Sequence, residues 1–165
     1  MTDWLKIPNT NFHVVEFVPL NHFQARPDRA SRYIAWKLVE VAQNIRNHFG
    51  KPMTINNKAF GGTRDESGLR LPGMKYYTPT SDHSYGHAID FLISGLHPLE
   101  VRVELAKNYK KLGMTMIEDG MNTWNHASIA WIHHFKDRLA IVDRVTNIIT
   151  TFSEAELQSW KAKAK

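Results

Sequence analysis

Cysteine is absent from the 165-residue chain. That excludes disulfides, thiolate metal ligands and a cysteine nucleophile. No run of about 18 apolar residues occurs, so no transmembrane helix and no membrane partner are expected. Residues 1–10 hold Asp3, Lys6, Pro8 and Asn9 and no apolar stretch, so no secretory signal is expected either. A strong charge of one sign is also lacking. There are 21 basic against 16 acidic residues, a net +5, but Lys161, Lys163 and Lys165 supply three of the positive charges. Without that tail the balance is 18 to 16, or +2, an ordinary value. Basic residues are not interleaved with aromatics. Trp36 lies in an expected helix, and Trp124 and Trp131 lie on expected strands, where packing is the usual role. No nucleic-acid partner is expected.

What is present suits one folded domain: 42% hydrophobic and 22% charged residues. Apolar residues recur at three and four from Tyr33 through Ile34, Leu38, Val41, Ala42 and Ile45 to Phe49. Pro27-Asp28 precedes them and Gly50 follows, which predicts a helix over 28–49. Met53 to Ile55 reads as a short strand. Lys58 to Pro79, with four glycines and two prolines, reads as a long loop, and such loops are often functional. A strand is expected over 87–94. A helix is expected over 98–112, with Pro98 in its first turn and Gly113 past its end. Further strands are expected over 115–118, 123–131 and 138–143, with Asp119-Gly120 as a turn. Ser153-Glu154-Ala155-Glu156 is a capping box for a short last helix. There are no repeats and no linker. The expected fold is one α+β domain over 1–165, a small antiparallel sheet flanked by helices. Its core spans about 28–143, with a C-terminal strand and helix in 144–165.

The stretch 80–90, Thr-Ser-Asp-His-Ser-Tyr-Gly-His-Ala-Ile-Asp, carries the chemistry. Side chains alternate along a strand, so Asp90 shares a face with Ala88 and Gly86, while Ile89 and Phe91 point to a core. A carboxylate then lies beside an open gap, and His83 arrives from the preceding loop. A neutral imidazole with a carboxylate is a ligand pair suited to zinc. A catalytic zinc site needs a third protein ligand. His13, His22, His48 and His97 lie in unrelated contexts, which leaves His126 and the His133-His134 pair. On an extended strand His126 and His134 stand about 26 Å apart, so one ion cannot use both unless the chain turns.

The pattern Ser81-x-His83-x-x-Gly86-x-Ala88-x-Asp90 resembles the signature of the zinc D-alanyl-D-alanine carboxypeptidase and L-alanyl-D-glutamate endopeptidase family. Phage-type members belong to that family, and it shares its fold with the signalling domain of hedgehog proteins. The resemblance covers roughly 53–141. It implies zinc on His83 and Asp90, and it favours His126 as third ligand, because Trp124-Asn125-His126 has the family's spacing. The segment Trp131-Ile132-His133-His134 is the alternative. The loop holding Arg64 and Arg70 resembles the family's Arg-bearing loop, where an Arg holds a substrate carboxylate. Ser81, which opens the motif, is a further substrate-binding candidate.

The implied activity is zinc-dependent hydrolysis of peptide bonds in bacterial peptidoglycan, by a phage product. It would be made in the host cytoplasm and act at the cell wall or be carried in a virion. Such chemistry needs a carboxylate to move a proton. Here the pattern departs from the family: Thr123 precedes His126 by three, Ser128 stands where many relatives have Asp, and Ala130 where Arg is common. The nearest acids are Glu118 and Asp119, with Glu118 the first candidate base. His87 reads as a packing residue. The alternative is a zinc-holding recognition or structural module of a phage particle.

Overall fold

The computed structural model describes residues 5–130 and 137–163. It is an α+β domain with four α-helices and a six-stranded mixed sheet among the described residues. Helices α1 (Leu20–Ala25) and α2 (Trp36–Phe49) come first, then strands β1 (Met53–Thr54) and β2 (Ala88–Ile93). Helix α3 (Pro98–Leu112) leads to β3 (Met116–Asp119), β4 (Asn125–Ser128), β5 (Leu139–Asp143) and β6 (Ile149–Phe152). Helix α4 (Glu154–Leu157) closes the order.

Helix α3 has the expected ends. Pro98 stands in its first turn, His97 accepts the Leu99 N–H on its ring nitrogen at 3.3 Å, and Gly113 ends it at φ +81. Helix α2 starts later than expected, at Trp36 rather than Asp28. Residues Ala30–Tyr33 form a separate 3-10 turn and Ile34 and Ala35 are extended. The Ala35 N–H donates to the Gly86 carbonyl at 3.2 Å, so a tertiary bond interrupts a helix that periodicity alone would continue. Both helices bury one stripe: Leu38, Val41, Ala42 and Ile45 from α2, and Val101, Leu105, Ala106 and Leu112 from α3.

Strand order is β1-β2-β4-β3-β5-β6. The expected antiparallel sheet holds for four of the five pairings, but β3 and β5 run parallel. β4 finishes where β3 begins, with Ser128 opposite Met116. A strand that enters the far side of β3 from that end must run in the direction of β3. Register fixes the two faces. Ile89, Phe91, Ile117, Ala127 and Ile141 join the core, where α2 and α3 pack. Ala88, Asp90, His126, Ser128 and Glu118 therefore fall on the opposite face. The core also reaches beyond its expected start at residue 28. Phe12, Val14, Val15, Phe17, Val18 and Phe23 are all buried in it. No helix is long and apolar enough to cross a membrane among the described residues.

Candidate metal centre

The motif residues each have a local task that brings His83 over Asp90. Ser81 caps a 3-10 turn, Asp82–Tyr85, its Oγ accepting the His83 N–H at 3.3 Å. Gly86 ends that turn at φ +67, and a Cβ there would collide with the Tyr33 carbonyl, whose carbon would lie 3.0 Å away. Glycine is required twice over at this position. The chain then enters β2, where Asp90 is the direct cross-strand partner of His126 on β4. Such partners hold their Cβ atoms about 4.5–5.5 Å apart, which is why an acid and an imidazole 36 positions apart meet.

Three donor atoms converge. His83 Nε2 lies 3.3 Å from His126 Nδ1 and 3.4 Å from Asp90 Oδ1, and His126 Nδ1 lies 2.9 Å from Asp90 Oδ1. All three residues are buried. Donors at the usual zinc distances stand roughly 3.3–3.4 Å apart on the edges of a tetrahedron, and two of the three edges have that length. The tautomer of His83 is set from behind. Its Nδ1–H donates to the Gly68 carbonyl at 2.7 Å, which leaves the Nε2 lone pair facing Asp90 and His126. Gly68 cannot carry a side chain, because its Cβ would run into the Phe17 carbonyl.

The three groups shift one another's ionisation. Burial pushes the Asp90 carboxyl up, but His83 and His126 beside it hold it far below the usual carboxylate range. Burial pushes the His126 imidazole down, and Glu118, Asp90 and Asp82 together more than reverse this, so its pKa is raised. An ionised carboxylate with two imidazole nitrogens close to one of its oxygens attracts positive charge, and a proton on His126, bonded to Asp90 Oδ1 at 2.9 Å, competes with a metal ion for that place. The His83, Asp90 and His126 group can hold a metal ion.

Around it the remaining expected residues separate. Glu118 follows Met116 and Ile117, which pair with Ser128 and Ala127, so the next register step puts it beside His126. It lines the cleft above the three donors. Asp119 points the other way. It is 2% exposed and paired with Arg102 Nη1 at 3.0 Å on the helix side of the sheet, so it does not serve the site as a base. Arg70 is bound to Asp90 itself: Nη2 pairs with Oδ2, and Nε donates to the Glu66 carbonyl at 2.8 Å. Arg64 donates through Nε to the Ile55 carbonyl at 2.9 Å and through Nη2 to the Asp90 carbonyl at 3.2 Å. Both arginines that were expected to take substrate thus hold the protein's own acceptors. Ser81 lines the cleft but acts as the cap. His87 stacks on Tyr85, ring centroids 6.4 Å apart. His133 and His134 lie outside the described residues.

Sequence reasoning missed three participants. Gly68 orients His83 through a carbonyl, which no side-chain pattern announces. Asp82 accepts the Ser128 hydroxyl at 2.7 Å, placing an acid from the loop next to the position where an Asp was missing. Arg144, past the end of β5, reaches the cleft because β5 lies beside β3. The cleft holds about 880 Å³ and is open to solvent. Compared with known proteins, no family model, no curated protein and no solved structure matches the chain.

Proposed function

We propose that this protein is a zinc peptidase that hydrolyses peptide bonds of bacterial cell-wall peptidoglycan. One observation carries the reading: His83 Nε2, Asp90 Oδ1 and His126 Nδ1 meet beneath an open cleft, with Glu118 on the same sheet face. Two imidazoles and one carboxylate form a donor set that suits zinc, and three protein ligands is the number catalytic zinc sites use. The wall peptide as substrate rests on the motif resemblance of residues 81–90 and 124–126.

When bound, zinc supplies Lewis acidity, acidifying water and polarising a carbonyl. Glu118 acts as the general base. Its carboxylate takes a proton from the attacking water and delivers it to the amine nitrogen as the C–N bond breaks, giving a free acid and a free amine. Arg70 holds Asp90 through Oδ2, which keeps Oδ1 turned to the two imidazoles. Gly68 holds the His83 ring through Nδ1. These contacts fix the ligand geometry before any ion arrives.

The test is metal analysis paired with release of amines from purified peptidoglycan. Wild-type protein is expected to carry about one zinc per chain, to lose activity on chelation and to recover it on added zinc. His83→Ala and His126→Ala are expected to lose both metal and activity. Wild-type metal content in His126→Ala would remove that ligand, and zinc-loaded protein that releases nothing from walls would remove the peptidase.

A further inference from the structure

We infer that Lys163 is a positioning residue: its backbone N–H, bonded to both carboxylate oxygens of Asp119, holds the cleft wall over 118–124 in place from the helix side of the sheet. The inference rests on the peptidase reading for the task of that wall, which carries Glu118. The wall has little ladder support of its own. The register of β3 with β4 pairs Met116 with Ser128 and Ile117 with Ala127, and ends there. Beyond that point the chain bears Glu118, Met121 and Trp124, all of which line the cleft. A buried guanidinium takes the place of the ladder. Arg102 of α3 is 1% exposed. Its Nη2 donates to the Met121 carbonyl and, at 3.4 Å, to the Trp124 carbonyl, and its Nη1 pairs with Asp119 Oδ1 at 3.0 Å.

Asp119 in turn needs donors on both oxygens, since a buried carboxylate oxygen without one is costly. Oδ1 also accepts the Gly120 N–H at 2.8 Å. The Lys163 N–H lies 3.0 Å from Oδ1 and 3.1 Å from Oδ2, and among the described residues it is the donor that Oδ2 has. The Lys163 carbonyl accepts from Arg102 Nη1 at 3.5 Å, and its Nζ reaches Asp143 Oδ2 at 2.8 Å. The segment that delivers Lys163 is anchored upstream: Ser153 caps α4, Leu157 is buried and Trp160 packs on the core. Lys163 therefore supports the site and is not part of a solvated basic tail. Without its N–H, Oδ2 is left buried and unpaired, Asp119 must turn, and Arg102 with its two carbonyls follows. Glu118 and Trp124 then shift against His126, which the β2–β4 ladder holds separately beside Asp90. The ligands stay and the base moves.

Proline at 163 removes that N–H and alanine keeps it, so the experiment compares zinc-loaded wild type, Lys163→Pro and Lys163→Ala. Asp119→Asn is not the test, because its amide oxygen still accepts the N–H. Well below the unfolding midpoint, Lys163→Pro is expected to lose about 10- to 100-fold in kcat on wall peptides, the scale of a misplacement of about 1 Å, with zinc affinity unchanged. Lys163→Ala is expected to stay near the wild-type rate. A chain ended after Ala162 lacks the same N–H without a proline ring and is expected to behave as Lys163→Pro. If either variant folds and turns over at the wild-type rate, the inference is overturned and the peptidase stands. If wild type releases nothing from walls the peptidase fails, and hydrogen exchange decides the inference. The Gly120 amide is expected to exchange at least about 10-fold faster in Lys163→Pro than in Lys163→Ala, and equal rates overturn it.

Discussion

Replacing Gly68 by alanine tests how the candidate metal centre is held. The added Cβ would lie well inside van der Waals contact distance of the Phe17 carbonyl oxygen and 2.7 Å from its carbon. Neither atom is the end of a flexible side chain, so residues 67–69 must move. That move breaks the Leu69 N–H bond to the same carbonyl, 2.8 Å long, and withdraws the Gly68 oxygen from His83 Nδ1. Overpacking of this kind costs about 1–3 kcal/mol of stability. Loss of the orienting partner of a metal-bound histidine costs about 10- to 100-fold in affinity, or about 1.4–2.8 kcal/mol. Zinc affinity is measured by competition with a chromophoric chelator, and the His83 Nδ1 proton is followed by NMR. The control is Gly50→Ala. Gly50 also has a left-handed φ, +61, but nothing lies within 4 Å of its Cβ position. It is expected to lose about 1 kcal/mol of stability from backbone strain and to keep its zinc affinity. If Gly68→Ala binds zinc as tightly as Gly50→Ala does, the carbonyl does not orient His83.

If the chain is the zinc peptidase proposed above, Glu118→Gln keeps the metal and loses about 10²- to 10⁴-fold in kcat on wall peptides, read by amine release; Asp119→Asn, altered on the far face, is expected to act through stability instead. Arg102→Met leaves Asp119 buried without its partner and is expected to cost about 3–5 kcal/mol in urea unfolding, with much of the loss recovered by adding Asp119→Leu. The Asp143 carboxyl is held down to about 2, first by Lys163 and then by the Val145 and Thr146 N–H groups. A depressed folded pKa gives stability that is present above the ordinary value of 3.8 and lost as pH falls towards 2, so the Lys163 tether is expected to release over that window. An Asp143 carboxyl that titrates near 4 by NMR would refute the tether.

The sequence by itself determined the elements whose signals are local. Helix α3 is legible end to end because Pro98 and Gly113 mark its two ends, and the short last helix because Ser153 and Glu156 form a capping box. The approach of His83 to Asp90 is legible too, since a turn and one strand join them over seven residues. What separates Glu118 from Asp119 is β-strand alternation anchored by register. One of them faces the cleft and its neighbour is buried against Arg102, and only the pairing of β3 with β4 says which. The union of His126 with Asp90, the use of Arg70 on Asp90 and the reach of Arg144 into the cleft likewise arise from contacts 36, 20 and 26 residues apart. Spacing along a chain fixes which face a residue shares with its near neighbours. Which strand comes to lie beside that face is decided by the packing of the whole sheet against α2 and α3, and that is where the tertiary structure settled the site.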